Sequence, residues 1–215
     1  MLTFSCKKDD NSNDDNIVKD RDGNIYHTIK IGTQTWMLEN LKTTKYSNGD
    51  PIPNVIDSLA WANLITGAYC NFNNDENNSV IYGRLYNWYS VNDSRKLAPV
   101  GWHVPNDSEW RTLTDYLGGE EHAGSKLKEA GNAHWFDDNS DATNESGFTG
   151  LPGGQRSYNY NGQFWDLNYF GYWWSSQENS PSTSFSFILY TSGEAAHQST
   201  LKKASGFSVR CLKDN

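Results

Sequence analysis

Between Phe148 and Trp174 the chain alternates glycine with large rings. Gly150, Gly153, Gly154, Gly162 and Gly171 separate the runs QRSYNY, GQFWDL and GYWWSS. Glycine is costly inside a helix, and each one marks a place where the chain can turn. Such spacing excludes a long helix and favours short strands joined by tight turns. Only 36% of the 215 residues are hydrophobic, yet 14% are aromatic, with nine tryptophans and twelve tyrosines. The core must be built from large rings whose N–H and O–H groups need partners inside the protein.

The rest of the pattern is mixed. Ile25, His27, Ile29 and Ile31 alternate with Asn24, Tyr26, Thr28 and Lys30, which predicts a half-buried strand. Gly32-Thr33 turns it into a second strand over Gln34–Leu38. Asp57-Ser58 begins a short helix through SLAWANLI, and Leu85, Trp88 and Tyr89 suggest another within Gly83–Val91. The clearest helix follows Pro105: Asn106 stands three residues before Glu109, the capping-box spacing, and Trp110, Leu113 and Leu117 form one apolar face up to Gly118-Gly119. A weaker helix is expected over Gly124–Ala130. The segment AYCNFNNDENN reads as loop. GYWWSS reads as a buried central strand, and Phe185–Tyr190 and Phe207–Leu212 as closing strands. The order predicts one α+β domain.

The formal net charge is −8 and no basic patch is visible, which argues against nucleic acid as a partner. No run of 18 apolar residues exists. The five histidines show neither HxH nor HExxH spacing, and Ser/His/Asp, GxSxG and Gly-rich phosphate-loop arrangements are missing. His103, in GWHVP, reads as a hydrogen-bonded structural side chain, and Asp57, Glu109 and Asp115 as solvated or capping.

The amino terminus reads as an address. Ser5 precedes Cys6, and Leu2, Thr3 and Phe4 resemble the end of an apolar signal region belonging to a longer precursor. Cys6 is then the lipidated residue. Lys7-Lys8-Asp9-Asp10 resembles the export label of surface lipoproteins, and the polar run to residue 19 is a tether expected to be disordered. Residues 1–19 are assigned to signal remnant and tether, and 20–215 to the domain. The expected place is the outer membrane at the cell surface, with the membrane as a partner through the lipid.

IGTQTWMLENL, GAYCNFNND, YGRLYNWYSV, LAPVGWHVPNDSEWRTLTDYLGG, GSKLKEAG, ESGFTGLPGGQRSYNYNGQFW, GYWWSSQE and GFSVRCLKD, in that order, resemble the Fibrobacter succinogenes major paralogous domain from about Asp20 to Asp214. The resemblance implies a bacterial surface module, often on lipoproteins, and supplies no reaction. Its aromatic and glycine pattern and its final G-F-x-x-R-C strand are also similar to the C-type-lectin and formylglycine-generating superfamily. That similarity implies a twisted antiparallel sheet with first and last strands paired, short flanking helices and long loops.

Chemistry can be weighed against this frame. In an oxidising compartment Cys70 and Cys211 are either disulfide-bonded, at most about 4–5 kcal/mol on the chain-entropy account, or two buried thiols. Formylglycine-generating enzymes hold copper with a cysteine pair close together near the carboxyl terminus; only Cys211 lies there. Calcium-dependent lectins carry Glu-Pro-Asn or Gln-Pro-Asp, plus Trp-Asn-Asp, and none occurs here. Asp137, Asn139 and Asp141 offer alternating oxygens as a weak calcium candidate, against the plainer reading of a solvated turn; no other cofactor is indicated. Arg156, Tyr158, Tyr160, Trp165 and Asp166 combine aromatic platforms with hydrogen-bonding groups, as glycan-binding and protein-binding faces both do. The expected function is a non-enzymatic binding or adhesion module for a glycan or surface protein. Its rivals are a carbohydrate-active or formylglycine-generating-like enzyme and a structural surface component.

Overall fold

The structure, a computed structural model, describes residues 16–136 and 139–215. Ile17–Lys19 (β1) and Ile25–Ile31 (β2) form a hairpin around the Asp22-Gly23 turn, and Gly32 turns the chain into Gln34–Met37 (β3). Then come helix α1 (Ser58–Ala62), Tyr69–Cys70 (β4), a single 3-10 turn at Phe72–Asn74, helix α2 (Glu76–Tyr82), Leu85–Tyr86 (β5) and helix α3 (Trp88–Val91). Trp102–His103 (β6) leads into helices α4 (Asp107–Tyr116) and α5 (Glu120–Leu127). The remainder is strand: Gly153–Ser157 (β7), Gln163–Leu167 (β8), Phe170–Ser180 (β9), Thr183–Tyr190 (β10), Ala196–Lys202 (β11) and Leu212–Lys213 (β12). The fold is mixed α and β, dominated by strands.

Two five-stranded sheets run β1-β2-β3-β12-β6 and β11-β10-β9-β7-β8, beside a small β4-β5 pair. The segment from Gly206 to Leu212 stitches them together. Gly206 bridges Arg156, Phe207 bridges Tyr86, and Ser208 bridges Trp173; the Cys211 carbonyl accepts from Met37, and Leu212 pairs with Trp36. The last strand therefore joins β3 and β6, and β1 is an outer strand.

Successive residues of a strand point to opposite faces, and here both faces are covered. Met37, Tyr172, Trp174, Ile188 and Cys211 face one apolar cluster; Trp36, Trp173, Phe187, Leu189 and Leu212 face another, capped by Trp110, Leu113 and Leu117 of α4. Trp110 stacks on Phe187 with centroids 4.4 Å apart. The indole N–H groups of Trp61, Trp88, Trp135 and Trp174 donate to backbone carbonyls, and that of Trp173 to Asn40. The capping box at Asn106 and Glu109 is formed as the sequence predicts.

Several expectations need correction. Ile17–Lys19 is strand, not tether: Ile17, Val18 and Lys19 pair with His27, Tyr26 and Ile25, and Val18 packs on the core. In β2, Tyr26 is buried and Ile25 exposed; Tyr26 faces one cluster and Ile31 the other. Gly83–Val91 divides into β5 and α3. The weaker helix begins at Glu120, not Gly124. Cys70 and Cys211 are not joined: they are separate buried thiols. Cys70 packs with Trp61, Phe72 and Leu85, whereas Cys211 lies in the main core with Met37, so each fills space as a small apolar residue. Cys6, expected from the sequence to carry a lipid, and Asp137 lie outside the described residues.

Candidate functional site

Three distant segments meet at the tip of the β7–β8 hairpin. Asp57 caps α1, its carboxylate accepting from the Ala60 N–H at 2.7 Å. The 3-10 turn presents Asn73 and Asn74 with φ of 53° and 57°, a left-handed conformation that asparagine tolerates. The Asn74 amide donates to the Ile56 carbonyl at 3.2 Å. Gly162, with φ of 72°, brings the hairpin tip against α1, where any Cβ would overlap the Ser58 carbonyl.

Arg156 holds the three segments. It is wholly buried. Its guanidinium donates to the carbonyls of Gly162 at 2.8 Å, Val55 at 2.6 Å and Ile56 at 2.8 Å. The Trp61 and Phe164 rings lie 4.6 and 4.8 Å from it. Arg156 thus shapes the site and has little left to offer a ligand. Asp166 also turns inward, accepting from Gln155 at 2.6 Å and from the Tyr172 hydroxyl at 2.9 Å.

What opens to solvent is a groove of about 440 Å³ between α1, the Asn73-Asn74 turn and the hairpin tip, with Asp57, Ser58, Asn74 and Gln163 among its walls. The same hairpin carries an aromatic shelf: Tyr160 (60% exposed) and Trp165 (48% exposed) pack with centroids 5.1 Å apart. Phe164 and Trp165 alternate across β8, so Phe164 closes the groove while Trp165 faces outward. Tyr158 lies elsewhere: with Tyr89, Ile65 and Lys202 it lines a second cleft of about 290 Å³ at the other end of α1. The groove residues Ser58, Asn73 and Asn74 are absent from the sequence-based site, although consecutive asparagines in AYCNFNNDENN were a signal for left-handed backbone. In the calcium candidate, Asn139 is buried: its amide nitrogen donates to the carbonyls of Glu129 and Gly131 at 2.8 and 2.7 Å, while its side-chain oxygen has no hydrogen-bond partner among the described residues.

The family model of the Fibrobacter succinogenes major domain matches residues 29–213. The chain belongs to that family. No curated protein and no solved structure matches it significantly. The matched span contains both sheets from within β2 onward, and the whole groove. It also contains the GFSVRC block, whose residues serve architecture in this member: a Cβ on Gly206 would lie 2.8 Å from the Trp61 ring, and Arg210 is buried between the Phe148 and Trp173 rings at 4.2 and 5.8 Å. His103 is structural as well. Its Nδ1 meets Asp214 at 2.7 Å and its Nε2 meets Glu109 at 2.9 Å, which commits both ring nitrogens. The Glu109 hydrogen bond is the main influence raising its pKa.

Proposed function

We propose that this domain is a non-enzymatic module that binds neutral glycans at the groove and shelf of the β7–β8 hairpin. The observation that carries the reading is the groove itself: amide, hydroxyl and carboxylate groups over the buried Arg156, on a hairpin that also carries an exposed tyrosine–tryptophan pair. Sugars present hydroxyls and flat apolar C–H faces, and such a site matches both. The chain's net charge of −8 disfavours a polyanionic ligand. The last strand stitched between the sheets agrees with a C-type-lectin-like arrangement, although it joins β3 rather than the first strand. A lipid on Cys6 would hold the domain on the outer membrane, with its groove free to meet surface or environmental glycans.

One observation favours a protein partner instead: Ile56, Leu59 and Ile65, around α1, are 61%, 60% and 79% exposed. A glycan array separates the readings. The full chain should bind a neutral glycan, with loss of signal in Trp165→Ala; an array on which no glycan binds removes the sugar reading.

A further inference from the structure

We infer that a separate pocket, between α3, β6 and the carboxyl terminus, binds a small organic anion: a carboxylate on a compact aromatic or aliphatic body. The inference rests on different residues from the glycan reading and is independent of it. The pocket has a volume of about 240 Å³. Its apolar wall is the outer skin of the main core: Val91, Leu97, Ala98 and Val104 belong to that cluster, and Trp102 packs against it. An apolar cavity of roughly 150 Å³ already accommodates benzene, so an apolar body of that size fits here.

The polar groups at the rim decide the charge of the ligand. Asp93 and Asp214 both line the pocket, and each carboxylate already has a side-chain partner. Arg95 grips Asp93 with Nε and Nη2, both at 2.8 Å, and His103 holds Asp214. Three donors are left over. Among the described residues the Lys96 ammonium, the Trp102 indole N–H and the Ser176 hydroxyl have no protein partner, and all three residues line the pocket. Lys96 is also a non-glycine residue at φ 60°, fixed there by its N–H to Asp93 and by its carbonyl to Ser47. Held backbone in that region is a common feature of ligand clamps. A lone ammonium, two neutral donors and an apolar wall complement a carboxylate with an apolar body; a neutral amide of the same shape forgoes the charge-assisted contact.

Protein-observed NMR on the full chain tests this with benzoate and hexanoate, each against its own amide. Saturable shifts should centre on Trp102 and Val104. Each acid should bind at least tenfold more tightly than its amide, and Lys96→Gln should erase that preference without changing the melting temperature. Equal binding of acid and amide, shifts that map elsewhere, a preference that survives Lys96→Gln, or no saturation by either acid would overturn the inference.

Discussion

Arg210 donates through both Nε and Nη2 to one atom, the side-chain oxygen of Asn40, at 3.0 and 2.9 Å. The same oxygen accepts the Trp173 indole N–H at 2.8 Å. Arg210 is fully buried, its remaining hydrogen bond goes to the Phe148 carbonyl, and burial lowers its pKa to about 9, Glu39 acting the other way. One neutral amide thus stands where a buried cation would usually have a carboxylate. Asn40→Ala should cost about 3–5 kcal/mol, since it strips the cation and an indole together. Urea unfolding measures this, and a loss under about 1 kcal/mol would mean that the hub is not needed.

Arg156 should prove structural. Arg156→Lys keeps the charge but not the fork that spans three carbonyls and two rings, and should lower stability by at least about 2 kcal/mol. Gly162→Ala should also destabilise, because its φ of 72° and its contact with Ser58 leave no room for a methyl. Trp165→Ala, on an exposed strand face, should change the unfolding free energy by less than about 0.5 kcal/mol. Thermal melts of the three variants rank them; a Trp165 variant as damaged as Arg156→Lys would contradict the assignment.

The two core thiols should be inert until the protein unfolds. Burial pushes the Cys70 thiol up to about 12, with Arg156 acting weakly downward, and burial likewise raises Cys211. Groups raised in the folded state contribute stability below their unfolded value, about 8.5 for a thiol, and lose it as pH rises through the folded value. Alkylation followed by peptide mapping should label Cys70 and Cys211 only in denaturant, with no reductant required. A reductant requirement would restore the disulfide.

His103 gives the pH dependence near neutrality. Its pKa is raised, so its contribution is complete below about 6.5 and is lost as pH rises through the folded value. Glu109 runs the other way. Burial works upward on it, but the hydrogen bonds from His103 and Asn106 hold it low, so its contribution fades as pH falls through that lowered value. Because His103 is partly exposed, the effect should stay below about 1 kcal/mol. His103→Gln should flatten the urea midpoint between roughly pH 6 and 8; an unchanged slope would assign that dependence to other groups.

Local signals carried well from sequence to structure. The Asn106–Glu109 box, the Gly32 turn and the buried Tyr172–Trp174 run depend on neighbours in the chain, and each is found where the pattern places it. Helix α2 was hidden because ENNSVIY is asparagine-rich and lacks a continuous apolar face. Strand β11 was hidden because HQSTLK lies on a sheet edge and has little alternation. Arg156 misled for a related reason: between Gln155 and Ser157 it looks like a surface residue, and only tertiary contacts with Val55, Ile56 and Trp61 make it a core one. The groove was illegible in principle, since Asp57, Asn74 and Gln163 come together through the fold alone.

The most direct test of the binding account is a calorimetric titration of the full chain with the strongest neutral glycan from the array, repeated with three variants. Asn74→Ala in the groove and Trp165→Ala on the shelf should each weaken binding at least tenfold. Tyr169→Ala, in the separate exposed pair with Phe136, should leave it unchanged. Equal losses in all three, or none in the first two, would contradict a glycan site at the hairpin tip.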